Sequence, residues 1–183
     1  LNGYPREDAL LVRVRRPRLS DGDAVWELVR RAESLEPGGR QLLLPLLQRF
    51  PDTCLVAEVE RRLVGFVGGY RPPTNHLSLF VWQVDVEPAL QRQGLGTALL
   101  HSLIQCPGCA GVEYLEATVG SSNVAATRLF ERLARDLDTT CERIPDSSSN
   151  LVESMQHKHE DLLRIGPIRI DHAKKLETPH ETL

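Results

Sequence analysis

The segment Val84–Asp85–Val86–Glu87–Pro88–Ala89–Leu90–Gln91–Arg92–Gln93–Gly94–Leu95–Gly96–Thr97 carries the clearest chemical signal in this 183-residue chain. It sets Gln-x-x-Gly-x-Gly between a strand-like run and an apolar helical run. Glycines in such a turn allow positive φ and let backbone amides come close to a ligand. The free amides at the start of the following helix then favour an anion such as a phosphate. A nucleotide P-loop would need Lys and then Ser/Thr after the second glycine, where Thr97 and Ala98 stand instead. A dinucleotide fingerprint would need a third glycine, where Leu99 or Leu100 stands. By itself the turn is equally compatible with a glycine pair that only lets a helix pack on a strand.

Around this turn the chain reads as an alternation of strands and helices. Leu10 to Val14 predicts a first strand, and Ser20 with Asp23 predicts a capping pair before an amphipathic helix through Ala24–Val29. Gly38–Gly39 breaks the chain, and Pro45 predicts a short or kinked helix over Leu42–Leu47. Thr53–Glu58 and Leu63–Tyr70 predict a hairpin, Arg71–Pro72–Pro73 a loop, and Leu77–Val86 a long strand carrying Trp82. A helix over Gly94–Gln105, a strand over Val112–Val119, a helix over Asn123–Arg135, a short strand near Cys141 and a last strand over Leu162–Ile168 follow. The order is that of a mixed α/β domain, with Val81–Val119 forming a strand–helix–strand unit that pairs in parallel. Residues 1–9 and 169–183 are expected to be mobile ends around a single domain over 10–168, with a Ser-rich linker at Asp146–Asn150.

Composition sets the outer bounds. Lys+Arg 22 against Asp+Glu 25 gives a net charge of -3, which supplies no basic field for nucleic acid. Hydrophobic residues at 41% and charged residues at 26% are ordinary globular usage. No apolar run approaches the roughly 18 residues that span a bilayer, and no N-terminal signal pattern is visible, so a cytoplasmic protein is expected. Of the four cysteines, Cys106 and Cys109 form a C-x-x-C. Pro107 and Gly108 end a helix there rather than open one, and no second pair completes a zinc site, so the pair reads as a turn. His157 and His159 at i, i+2 do not suffice for a metal, and no metal is expected.

The turn, the strand Glu113–Val119 and the Asn123 helix together resemble the GNAT N-acetyltransferase superfamily, with its Q/R-x-x-G-x-G/A acetyl-CoA motif, over roughly Leu10–Arg135. The resemblance implies a mixed, V-splayed sheet flanked by helices on both faces and acetyl-CoA as co-substrate. It implies that the backbone amides of Gln91, Arg92, Gln93, Gly94, Leu95, Gly96 and Thr97 hold the pyrophosphate. Main-chain groups of Val84 to Val86 would bond the pantetheine arm, an amide near Val86 would polarise the thioester carbonyl, and Asn123 would touch the CoA arm. Many members protonate the departing thiolate with a Tyr where this chain has Phe130. A thiolate with a pKa near 8.5 leaves readily, so water serves or no acid is needed.

Asp52–Thr53–Cys54 with Ala57–Glu58, Gly69–Tyr70–Arg71–Pro72–Pro73, Leu79–Phe80–Val81–Trp82–Gln83–Val84, Leu115–Glu116–Ala117–Thr118–Val119 and Leu163–Arg164–Ile165–Gly166–Pro167 narrow the resemblance. They are similar to the diaminobutyrate acetyltransferases of ectoine biosynthesis, a family that suggests a homodimer. Acetylation at a γ-amine with the α-amine left alone needs an acceptor for the α-ammonium, donors for the carboxylate, and a base for the γ-ammonium, whose pKa lies near 10. Glu116, Asp85, His157 and Glu160 are the candidates; Trp82 and Gln83 are expected to line the pocket. Each has a structural alternative: Glu116 and Asp85 as solvated strand residues, Trp82 as core.

One stretch departs from that family's L-D-x-N-S-x-Y-x-Y pattern: Leu35–Glu36–Pro37–Gly38–Gly39–Arg40–Gln41–Leu42–Leu43. Glu36 replaces Asp and remains a candidate substrate ligand, but two hydroxyls and an amide are gone. Loss of polar groups that read a substrate costs affinity or redirects it. Acetylation of a different small amine, or a CoA-binding module with little catalysis, therefore stays open beside the diaminobutyrate reaction.

Overall fold

The computed structural model describes residues 11–32, 40–145 and 160–169. The expected mobile start at 1–9, the linker at 146–150 and the tail beyond Arg169 lie outside the described residues. Seven strands form one sheet in the order β1-β2-β3-β4-β5-β7-β6. The strands are β1 Arg13–Arg15, β2 Cys54–Val59, β3 Arg62–Tyr70, β4 Ser78–Val86, β5 Tyr114–Gly120, β6 Thr140–Pro145 and β7 Glu160–Gly166. The helices are α1 Gly22–Arg31, α2 Arg40–Arg49, α3 Leu95–Ile104 and α4 Val124–Asp136. Among the described residues the only parallel pairing is β4 with β5, which the α3 crossover joins. β7 inserts between β5 and β6, antiparallel to both.

The two faces carry separate cores. On one, Val25, Leu28 and Val29 of α1 and Leu43, Leu46 and Leu47 of α2 cover Cys54, Val56, Leu63 and Phe66. This is the i, i+3, i+4 spacing that places apolar residues on one stripe of a helix. On the other, Leu99, Leu100, Leu103 and Ile104 of α3 and Phe130, Leu133 and Ala134 of α4 cover Val67, Leu79, Val81, Leu115, Ala117, Val119, Leu163 and Ile165. Full burial of each Leu, Val or Ile is worth about 1.5–3 kcal/mol, which fixes the alternation of every strand against its two faces.

Three local expectations change. Ser20 and Asp23 do not cap α1. The carboxylate of Asp21 instead accepts from the Arg18 amide at 2.6 Å and from Arg15 Nη1 at 2.7 Å, so a short 3₁₀ turn over Leu19–Asp21 leads into the helix. The Arg15 guanidinium holds the Asp21 carboxyl below its usual range. Pro45 lies inside a ten-residue α2 and does not cut it short. It stands in the middle of the helix, where its missing N–H forfeits one ladder bond, and the burial of Leu43, Leu46 and Leu47 outweighs that loss. The first strand starts three residues later and ends one residue later than the sequence suggests.

β4 contains a bulge. Gly68 pairs with Gln83 and Gly69 with Val81, which leaves Trp82 as the extra residue. Trp82 and Gln83 therefore share one face, and the strand bends. A Cβ on Gly69 would collide with the Phe80 carbonyl. Gly69→Ala should therefore lower stability by about 1–3 kcal/mol in a urea melt. It should also weaken acetyl-CoA binding, because the bend that opens the sheet would shift; unchanged stability would show that the bulge does not need this glycine.

Candidate active site

β4 and β5 pair only at Ser78–Tyr114, Leu79–Leu115 and Phe80–Glu116. β4 then runs six residues further to Val86 and β5 four residues further to Gly120, with no bridge between them. The sheet is split into a V whose closed end is Phe80–Glu116. Backbone groups along the open part of β4 are assigned by register. The Glu87 amide donates to the Val64 carbonyl at 2.8 Å, which makes Glu87–Val64 a bonded pair across β3 and β4. Bonded pairs alternate in an antiparallel ladder, so Asp85 also turns its main chain toward β3. Val84 and Val86 turn theirs into the opening, as the sequence reading requires of residues that would bond an extended ligand arm. The Val86 carbonyl is already occupied, because Gln91 Nε2 donates to it at 3.1 Å. That leaves the Val86 amide.

At the wide end of the V lies the glycine turn. Gly94 has φ 89 and is the N-cap of α3, and Arg92 has φ 61. The first bond of the helical ladder is Ala98 N–H to the Gly94 carbonyl at 2.9 Å, so the amides of Leu95, Gly96 and Thr97 precede it. No acidic residue occupies the first turn of α3. Those amides and the helix dipole together favour a diphosphate. The packing explanation of the glycines fails on geometry. A Cβ on Gly94 would meet nothing within 4 Å, and one on Gly96 would lie 3.4 Å from Leu129, an ordinary contact. Gly94 is required by its backbone conformation, not by the fit of the helix on the sheet.

The side chains of this region brace the loop. Gln91 ties it to the end of β4, and Gln93 Nε2 donates to the Ala89 carbonyl at 3.1 Å. Arg31 and Arg62 both bind Glu87, at 2.9 and 3.2 Å, and so tether its first residue to α1 and β3. Asn123 is the N-cap of α4, its Oδ1 accepting from the Ala126 amide at 3.0 Å. Phe130 is 1% exposed in the core of α4 and has no proton to give.

Opposite the α3–α4 face, four of the residues expected to handle an amine share one side of the sheet. The alternation of β4 and β5 puts Trp82, Gln83, Asp85 and Glu116 on the α1–α2 face. Asp85 is buried, not solvated, and Gln83 Nε2 donates to its Oδ2 at 2.7 Å. Trp82 is half-buried at the bulge against the α1–α2 core. Glu116 is buried as well, and its Oε1 accepts from Arg164 Nε at 2.8 Å. Glu36 and His157 lie outside the described residues, as does the side chain of Glu160 at the start of β7. The partner of Glu116 is not legible in the sequence: Arg164 lies 48 positions away, and the insertion of β7 beside β5 pairs them.

The cysteines stay out of this chemistry. Cys106 precedes and Cys109 ends the 3₁₀ turn Pro107–Cys109, and both are buried. Burial pushes the Cys109 thiol up to about 12 and raises that of Cys106, the opposite of a redox pair. Among the described residues no group of three or more His, Cys, Asp or Glu is placed to hold a metal. No helix among them is long and apolar enough to cross a membrane.

A sheet split between two parallel strands, with an amide-lined anion site at its mouth, is the architecture of an acyl-CoA-dependent transferase. Residues 23–134 match the acetyltransferase (GNAT) family, and the chain belongs to it. It is an acetyltransferase, and several of its relatives carry a more specific name. The L-2,4-diaminobutyric acid acetyltransferase of Halalkalibacterium halodurans is 38% identical over 157 residues, 86% of this chain and 82% of that protein. That of Virgibacillus pantothenticus is 39% identical over 84% of this chain and 96% of its own length. Among solved structures, the diaminobutyrate acetyltransferase EctA from Paenibacillus lautus, in complex with L-2,4-diaminobutyric acid and coenzyme A, superposes with a TM-score of 0.79 at 36% identity, covering 89% of this chain and 99% of that one.

Gly94→Ala should cost about 1–2 kcal/mol of stability from the left-handed backbone and weaken acetyl-CoA binding at least tenfold in calorimetry. Gly96→Ala, which the family motif admits, should leave both nearly unchanged. Equal stability losses with no change in affinity would return the turn to a packing role.

Proposed function

We propose that this protein transfers the acetyl group of acetyl-CoA to the γ-amine of L-2,4-diaminobutyrate, the acetylation step of ectoine synthesis, and works as a cytoplasmic homodimer. The observation that carries the reading is the likeness, along nearly the whole chain, to an enzyme solved with that amino acid and coenzyme A, joined to an intact cofactor opening.

The amides of Arg92 to Thr97 hold the pyrophosphate, that of Gln91 being spent on the Pro88 carbonyl at 3.3 Å, and Val84 and the Val86 amide hold the pantetheine arm in the V as a strand would. Asn123 approaches that arm through the part of its amide not used in capping. With the thioester drawn into the opening, the α1–α2 face is the free side from which an amine can attack. The nitrogen lone pair forms the new C–N bond at the carbonyl carbon, and the Val86 amide donates to the oxygen as negative charge develops there. The C–S bond then breaks and the thiolate leaves without a side-chain acid, consistent with Phe130.

Two carboxylates serve the two ammonium groups. Glu116, held by Arg164 at the closed end of the V, suits the α-ammonium. Asp85, beside the Val84 and Val86 amides, takes the γ-proton directly or through water. Trp82 walls the site with an aromatic face. Glu36, His157 and Glu160 remain the further candidates for substrate contact.

The altered Glu36–Leu43 stretch favours one competing reading, a different small amine. Leu43 is fully buried in the α1–α2 core, so at that position the departure from the family pattern is a change of core rather than of a pocket wall. Thiol release from acetyl-CoA should be fastest with L-2,4-diaminobutyrate among ornithine, lysine, diaminopropionate and polyamines, with a γ-N-acetyl product by NMR. Faster turnover of another amine would transfer the assignment to that amine.

Asp85→Asn should lower kcat by about 10²–10⁴, with acetyl-CoA affinity kept. Glu116→Gln should act mainly on KM. The reverse pattern would exchange the two roles, and an unchanged rate in either variant would remove that residue from the mechanism.

A further inference from the structure

Arg164 holds Glu116 in an unusual way. It donates only through Nε, to Oε1 at 2.8 Å, and its guanidinium lies 5.7 Å from the centre of the Tyr114 ring. Among the described residues its two terminal amino groups meet no carboxylate. Arg15 is the contrast: Nε binds Glu58, and both terminal amino groups bind Asp21. Arg31 likewise closes on Glu87 with Nε and Nη2. In Arg164 the end-on fork of the guanidinium, the geometry that takes a carboxylate with two parallel bonds, is left presented.

Its position is informative. Arg164 pairs directly across β5 and β7 with Glu116, which itself pairs with Phe80 at the closed end of the V. Its neighbours Leu163 and Ile165 turn into the α3–α4 core, so Arg164 is on the α1–α2 face with Glu116, Asp85 and Trp82. The Glu116 side chain is 10% exposed and that of Arg164 is 37% exposed, so the acid is deep and the base is at the rim. Neighbouring strands lie about 4.8 Å apart, close to the span of a short amino acid. A cation with a free fork, next to a carboxylate with one uncommitted oxygen, matches a zwitterionic head group in sign and spacing.

We infer that Arg164 is the specificity-determining residue for the substrate's α-carboxylate, which its terminal amino groups bind while Glu116 takes the α-ammonium. The inference rests on the diaminobutyrate reading and adds how an amino acid is told from a simple diamine. Tyr114 acts as a positioning residue, its ring face keeping the guanidinium plane turned toward the pocket. The head group anchored on β5 and β7 would leave the γ-amine as the one free to reach the opening, and so direct acetylation away from the α-amine.

The test compares L-2,4-diaminobutyrate with its carboxamide, which keeps both amines and loses only the negative charge. The wild-type enzyme should favour the acid in kcat/KM by about 10- to 100-fold, expressed in KM. Arg164→Gln should abolish that preference, and Arg164→Lys, with charge but no fork, should restore it in part. A purely structural Arg164 would lower both substrates equally with the preference intact, which overturns the inference. So does a wild-type enzyme that uses acid and amide alike, a measurement that needs no variant to fold. Turnover of neither by the wild type, with another amine accepted, would instead overturn the diaminobutyrate reading on which the inference rests.

Discussion

The parting of β4 from β5 after Phe80–Glu116 is the constraint on which everything else hangs. Two parallel strands that stayed bonded would have left no main-chain groups for a ligand and no passage between the faces. The bulge at Trp82 bends β4 just beyond the last bridge, and the close approach of Gly69 to the Phe80 backbone makes room for that bend. Edges left open in a sheet invite pairing with another chain, and here the same exposed amides and carbonyls are available to an extended ligand arm. The opening thus converts a liability of sheets into a binding site.

Around the opening the division of labour follows from the two cores. The α3–α4 face supplies helix N-termini and backbone amides, a setting suited to phosphate. The α1–α2 face supplies buried carboxylates, Gln83 and Trp82, a setting suited to ammonium. The Arg31–Glu87–Arg62 cluster links the two by fixing the residue that follows β4 and precedes the glycine turn. Side chains of the Gln-x-x-Gly-x-Gly motif brace the loop while its main chain remains for the ligand. The glutamine of the motif is therefore best understood as a clamp on Val86, not as a ligand contact.

Burial changes the meaning of the charged residues. Asp85 could have alternated outward on β4, but the bulge puts it, together with Gln83, on the α1–α2 face beneath the helices, where a carboxylate persists only with partners. Glu116 is held in the same manner by Arg164. The pair of a deep acid and a half-exposed base offers both signs at one place, as recognition of a small zwitterion demands.

The sequence by itself determined the order of elements, the cofactor turn and the family, because strand alternation, helical periodicity and a glycine motif are local in the chain. Gly94 illustrates this: its need for positive φ is a property of one residue and its neighbours. Locally written signals also misled where a neighbour from afar intervened, as when Arg15 drew Asp21 away from the simple cap at Ser20 and Asp23, or the core held α2 together through Pro45. Only the tertiary structure decided that β7 lies between β5 and β6, that the β4 register slips at Trp82, and hence that Arg164 stands beside Glu116. Those facts depend on pairings between residues dozens of positions apart. They are set by which apolar faces the helices cover, and no short stretch of sequence records them.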